Sequence, residues 1–237
     1  PSRISEFLFS MASGIIVISS FVFHTLPVGL KDRAVIIYNP VCVNRRPKIS
    51  RPMEEENSVS IAFLGTHQDQ KRPEVFLYAA KQILEALPNS RFVLLGRITS
   101  LSDKIKILAD ELELGDRLEI LGYRLDAINV LAECDLLLAT AIDEGHGRGL
   151  IEAMLLGIPV VASNSGGHPE IVRHGETGIL VPADEPSAFA NAAIKILGDK
   201  KMYSDLSEKA MNFAKESYSP SAHANEVTDF YNKLLSK

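Results

Sequence analysis

Apolar positions along the 237-residue chain fall into two alternating rhythms. Short runs rich in β-branched residues recur at 15–19, 34–38, 58–65, 91–96, 117–121, 135–140, 159–162 and 178–181. They are continuous rather than alternating, as expected of strands buried on both faces. Between them the period lengthens. Residues 73–87 place Val75, Phe76, Ala79, Ala80, Ile83 and Leu84 on one stripe, which predicts an amphipathic helix. A second helix is predicted over 102–114, opening on a Ser-Asp cap and closing at Gly115, and a third over 148–156, stopping at Gly157. Beyond Gly198 the pattern is helical to Lys237, broken at Ser219-Pro220, with a last helix over about 221–235. Such alternation predicts an α/β fold: a doubly wound parallel sheet of βαβ units with helices on both faces.

Two segments depart from that rhythm. Residues 7–30 contain no Asp, Glu, Lys or Arg. That length could span a bilayer, but the stretch holds Gly14, His24 and Pro27, and its apolar density peaks at GIIVIS. A buried strand followed by a short helix is expected instead. Residues 44–57 (NRRPKISRPMEEEN) are almost devoid of apolar side chains and read as an exposed connector. Composition adds exclusions. With 46% hydrophobic and 23% charged residues the chain is ordinary globular material, not disordered or fibrous. A net charge of −5 argues against nucleic-acid binding. Cys42 and Cys134 form neither a disulfide framework nor a zinc pattern. They point to a reducing, cytoplasmic compartment, with peripheral membrane attachment left open. The first residue is proline and no leader is recognisable, so a fragment of a longer chain is expected.

Chemistry concentrates at 135–170. The run DLLLAT leads into AIDEGHGRGLIEAM, so a glycine-rich loop leaves a buried strand and opens a helix. In doubly wound sheets ligands bind at such carboxyl ends. Free N–H groups near Gly147, Arg148, Gly149 and Leu150 would favour an anion, most simply a phosphate. Glu144 and Glu152 frame the loop. A carboxylate beside a phosphate needs another task, and accepting hydrogen bonds from a sugar or ribose diol is one. The plainer alternative makes Glu144 a turn residue and pairs Glu152 with Arg148 along the helix. The glycines do not follow the dinucleotide spacing, and no Walker A motif occurs. A second candidate is GTHQDQKRP, where Lys71 could reach an anion at the same edge or simply be solvated. Gly65, Gly96 and Gly122 also end strands, a floor suited to a flat base.

The ordered run EGHGRGLIEAMLLGIPVVASNSGGHPEIVRHGETGILVP (144–182) resembles the signature region of the family-4, or group 1, retaining glycosyltransferases of the GT-B fold. Glu144 and Glu152 match that family's E-x7-E motif, and SGGHPE and GETGILVP match its next two blocks. IAFLG, KRPEVFLYAA, RFVLLG and DRLEILGY resemble its nucleotide-domain strands, and VIIYNPV the segment entering that domain. The resemblance implies a Rossmann-like carboxy-terminal half that holds a nucleotide-sugar donor and needs no metal. Transfer to an acceptor (glycan, lipid-linked sugar or small molecule) would retain configuration.

By that resemblance Glu144 and Lys71 are the catalytic candidates. Glu152 would hold the ribose, and Gly147, Arg148, Gly149 and Leu150 the diphosphate, with Gly65 and Thr66 beside them. Gly122, Tyr123 and Arg124 would lie near the base. Two positions depart from the family. Thr66 stands where an arginine is common, with Arg72 and Arg148 as the candidate substitutes, and His146 replaces an aromatic residue and reads as a loop side chain with no metal role. The expected division is a remnant of an amino-terminal acceptor domain with its hinge at 1–34, a donor domain at 35–215, and a crossing helix at 216–237. The alternatives are a non-catalytic nucleotide-sugar module and another GT-B enzyme such as a sugar-nucleotide epimerase.

Overall fold

The computed structural model describes Phe9 and residues 11–45 and 59–236. The predicted connector at 44–57 therefore lies outside the described residues, apart from its first two. Eight strands and ten helices are described: β1 Ile15–Val17, α1 Ser20–Thr25, α2 Val28–Lys31, β2 Ala34–Ile36, β3 Ser60–Leu64, α3 Pro73–Ala86, β4 Arg91–Leu95, α4 Ser102–Glu111, β5 Leu118–Gly122, α5 Ala127–Ala132, β6 Leu136–Ala139, α6 Arg148–Leu155, β7 Val160–Ser163, α7 His168–Ile171, β8 Ile179–Val181, α8 Pro186–Gly198, α9 Lys200–Ser217 and α10 Pro220–Leu235.

Six strands form one sheet in the order β5-β4-β3-β6-β7-β8. Every pairing in it is parallel. The chain steps outward from β3 on one side and from β6 on the other. This is the Rossmann-like order, with its switch point between β3 and β6. Successive side chains take opposite faces. Ile61 and Phe63 of β3, Leu136 and Leu138 of β6, and Val161 of β7 join the core beneath α3, α4 and α8. Ala62, Leu137, Val160 and Ala162 join the core beneath α5 and α6. Burial on both faces explains why these strands read as unbroken apolar runs. Phe76, Phe92 and Phe189 are fully buried in the first core, each contributing about 1.5–3 kcal/mol by transfer from water.

The uncharged amino-terminal stretch forms β1, α1 and α2, with Ile15 and Val17 buried and Ile16 facing out. No helix among the described residues is long and apolar enough to cross a membrane. β1 and β2 make a separate two-stranded parallel sheet, over a small core of Ile15, Val17 and Leu30. Residue 35, where the sequence begins the larger unit, thus lies within this small sheet. The carboxy-terminal helix α10 returns to it: a Cβ on Gly14 would lie 2.5 Å from Phe230 Cζ.

Two sequence expectations are corrected. Helix α4 ends at Glu111, short of Gly115, because Glu113 and Gly115 both take positive φ. Ser102 does not cap it. Its Oγ accepts from the Thr99 amide and bonds His67 Nδ1 instead. Helices α5, α7 and α8 had no named sequence signal: α5 and α7 are short and not strongly periodic, and α8 begins with proline at its first position.

Candidate functional site

Three loops meet at the carboxyl edge of the sheet, beside the switch point. The loop after β3 carries Lys71, the loop after β6 carries Glu144, and the loop after β7 leads into α7. Backbone geometry binds them together. Thr140 Oγ1 donates to the carbonyls of Lys71 and Arg72 at 2.8 and 2.9 Å. Ile142 N donates to Gln70 O at 2.8 Å, and Gln70 Nε2 donates to Asp143 O at 2.7 Å. On the other side Gly167 N donates to Glu144 O at 2.7 Å. The approach there is so close that a Cβ on Gly166 would stand 2.5 Å from Glu144 N. This explains the double glycine of SGGHPE as backbone packing beneath Glu144.

Among the described residues three non-glycine positions have positive φ: Arg72, Glu113 and Asp143. Arg72 and Asp143 directly flank Lys71 and Glu144 in sequence. Such conformations persist only where surrounding structure enforces them, and they cluster at functional sites.

A cleft of ≈ 140 Å³ opens at this edge, lined by Lys71, Glu144, the Gly147–Leu150 turn, Thr140 and His168, with Leu64 and Leu137 among its apolar walls. Lys71 Nζ and Glu144 Oε2 form an ion pair in it, each side chain about a fifth exposed. Burial pushes the Glu144 carboxyl up, but the hydrogen bond and charge of Lys71 outweigh it, so the net displacement is down. Glu144 is thereby held anionic, able only to accept hydrogen bonds. Helix α6 begins at Gly147, in the left-handed region at φ 57°, with no side chain capping it. Leu150 N donates to Gly147 O at 2.9 Å and the Gly147 amide serves Glu144, so the Arg148 and Gly149 N–H groups are the ones that remain for an anion.

The sequence-predicted residues separate into groups. Lys71, Glu144, Gly147, Arg148, Gly149 and Leu150 all line the cleft. Glu152 sits one turn into α6, largely buried. It accepts from Arg148 Nε at 2.8 Å, as the plainer helix-pair reading has it. Its carboxyl is raised by burial, against the pull of Arg148. Gly65 and Thr66 are at the end of β3, outside the cleft lining. Gly122 ends β5, two strands away, and Tyr123 and Arg124 follow it in the next loop. Tyr123 is exposed and Arg124 forks onto Asp126 at 2.8 Å through both nitrogens.

Neither proposed substitute for the missing arginine is free. Arg72 is engaged by Glu74 and, at 2.7 Å, by Asp184, while Arg148 is held by Glu152. His146 lies on the loop before α6, as the sequence has it, but its side chain is buried rather than solvated. Its ring stacks on Tyr38 and meets Tyr218 edge-on, and Nε2 lies 3.3 Å from Asn39 O. Among the described residues no group of three His, Cys, Asp or Glu side chains is gathered as a metal site.

Sequence reasoning gave no role to two residues within the quoted SGGHPE block. His168 is almost fully buried and lines the cleft. Glu170 takes the amides of Ser20 and Phe21 at 2.7 Å and the Tyr38 hydroxyl at 3.2 Å. It thereby fastens the small sheet's α1 to the large domain. The signal for both was the block itself, but their partners are more than a hundred residues away or reached only by folding.

Comparison with known proteins agrees with this architecture. The model of the family described as "Glycosyl transferases group 1" matches residues 45–213. An Escherichia coli UDP-Gal:alpha-D-GlcNAc-diphosphoundecaprenol alpha-1,3-galactosyltransferase is 27% identical over 179 residues, covering 75% of this chain and 46% of that protein. The crystal structure of Anabaena Alr3699/HepE in complex with UDP and glucose superposes with TM-score 0.86 at 24% identity, over 98% of this chain and 66% of that one. The C-terminal domain of a group 1 family protein (LpcC) from Francisella tularensis superposes with TM-score 0.64 at 19% identity, over 78% of this chain and 97% of that domain. The chain spans about a third to a half of the curated relatives it matches first. A family match covering most of the chain, on a Rossmann-like sheet of the GT-B kind, makes this chain a member of the group 1 glycosyl transferases.

Proposed function

We propose that this chain is the nucleotide-sugar-binding part of a retaining, metal-independent glycosyltransferase. The observation that carries the reading is the Lys71–Glu144 pair standing at the open amino terminus of α6, at the switch point. A diphosphate would meet the helix N–H groups and the Lys71 ammonium. Both oppose the negative charge that grows on it as the sugar departs, the usual main electrostatic contribution to such chemistry. Glu144, kept anionic by Lys71, would accept from sugar hydroxyls. Glu152 would accept from the ribose through the oxygen that Arg148 leaves free. Gly122, Tyr123 and Arg124 would flank the base. The acceptor would be bound by parts of a longer protein, with 1–34 the end of that half and 216–237 crossing back to it. Alone, the chain should bind nucleotide and transfer little or no sugar.

Calorimetric titration with UDP, GDP and ADP in EDTA tests this reading. One nucleoside diphosphate should bind saturably, and Glu152→Ala should weaken it about tenfold or more, the loss of charge-assisted hydrogen bonds. Binding that is abolished by EDTA, or indifferent to Glu152→Ala, would refute the corresponding assignment. UDP leads the series because the Anabaena neighbour's structure holds it.

A non-catalytic nucleotide-sugar module is the second reading. It is favoured by Thr66, with Arg72 and Arg148 both engaged elsewhere. If the missing arginine limits the site, Thr66→Arg should tighten nucleoside diphosphate binding. An unchanged affinity would remove this support.

A further inference from the structure

His168 is the polar group in the cleft that the proposed chemistry leaves without a task. It lies at the first position of α7, 2% exposed, and its ring borders the same space as Lys71 and Glu144. Its hydrogen bonding specifies which ring nitrogen bears the proton. Ser163 Oγ donates its one hydrogen to the Ala141 carbonyl, which can only accept. At its 2.9 Å contact with His168 Nδ1 the serine oxygen must therefore accept. Nδ1 then carries the hydrogen, and Nε2 carries a lone pair. Nε2 makes no hydrogen bond to any described residue, while the adjacent Cδ2 lies 3.1 Å from where a Cβ on Gly147 would stand. The bare edge of the ring thus faces the start of α6.

We propose that His168 Nε2 accepts a hydrogen bond from a hydroxyl of the donor's sugar, and so helps select the sugar in the cleft. This rests on the reading of the cleft as a nucleotide-sugar site. An unprotonated imidazole nitrogen repels a phosphate oxygen and requires a donor. A sugar hydroxyl is a donor of the right kind, and it could accept from Lys71 at the same time. Burial holds the imidazole at a pKa of about 4, so it stays neutral near pH 7. Glu144 and Lys71, the charged groups nearest it, act on it in opposite directions. The Ser163–Ala141 link makes this a pre-oriented acceptor, with no rotation of the ring to be frozen on binding.

The test compares each nucleoside diphosphate with its sugar ester: UDP with UDP-glucose, GDP with GDP-mannose, and ADP with ADP-glucose. The variants are His168→Phe, which keeps a ring without an acceptor, and His168→Gln, whose amide oxygen can accept. His168→Phe should leave diphosphate affinity within about twofold and weaken the sugar nucleotide about threefold to tenfold, the value of one neutral hydrogen bond. His168→Gln should recover part of that loss. In the wild-type chain, 15N-imidazole spectra should show protonated Nδ1 and bare Nε2. The Nε2 resonance should move with the sugar nucleotide and stay in place with the diphosphate alone.

Equal weakening of both ligands, no weakening of either, or the opposite tautomer would overturn the inference while leaving the donor site intact. The spectra decide it even if the variants fail to fold. A wild-type chain that binds none of the three diphosphates would overturn the underlying reading as well.

Discussion

Single side chains in the cleft are tuned by burial as much as by charge. Glu144 is held ionised by Lys71 in spite of its burial, whereas His168 is held neutral because of its own. The second effect has a consequence for stability. With a folded pKa of about 4 against an ordinary 6.5, the unfolded chain binds the proton first. Stability therefore falls as pH drops below about 6.5, and it keeps falling until the folded pKa is reached. At pH 5 the loss traceable to His168 is about 2 kcal/mol relative to pH 8. Urea unfolding at the two pH values should show that difference, and His168→Phe should reduce it. His67 and His146, both lowered by burial, contribute in the same direction and leave a residual slope in the variant. A variant with an unaltered slope would show that His168 is not buried as a neutral ring.

Helices and strands meet at this edge through backbone contacts that leave no room for side chains. A Cβ on Gly96, at the end of β4, would run into the Gly65 carbonyl. Gly96→Ala should therefore cost about 1–3 kcal/mol through overpacking and the shift it forces, lowering the thermal midpoint. A midpoint equal to wild type would mean that β3 and β4 separate freely there. The α7–α1 junction is of a different kind, because one carboxylate carries it. Glu170→Ala removes the acceptor of two α1 amides, and hydrogen exchange at Ser20 and Phe21 should accelerate while β3 and β6 keep their protection. Uniform exchange across the whole chain would refute this local role. All eight strand sites and helix α3 were readable from apolar period, because each buries faces that periodicity records, and α6 was readable from the glycine that stops it. The boundary of α4 and the existence of α5 were not, since positive-φ residues and tertiary burial decide them rather than pattern.

Considered as a whole molecule, the chain is a six-stranded Rossmann-like domain carrying a two-stranded layer at its amino end, with α10 closing the return. Gly14 is where α10 touches that layer. Gly14→Val should push Phe230 and Leu234 away and reduce amide protection in β1 and β2. Nucleotide binding at the cleft, whose lining includes none of these three residues, should be unaffected. Loss of protection in β3–β8 instead would show that the two sheets unfold together.

Order along the chain was enough to determine the fold class, the family blocks, and the loops bearing Lys71, Glu144 and the α6 turn. Those features depend on local period and on residues close in sequence. Tertiary structure decided which of several charged groups meet. It paired Lys71 with Glu144 across 73 residues and turned Arg72 toward Asp184. It buried His146 against Tyr38 and Tyr218, and it made His168 a neutral acceptor by linking it through Ser163 to Ala141. The reason is physical. A side chain's charge state and free hydrogen-bonding atom depend on the neighbours that displace its water, and those neighbours come from other strands of the sheet.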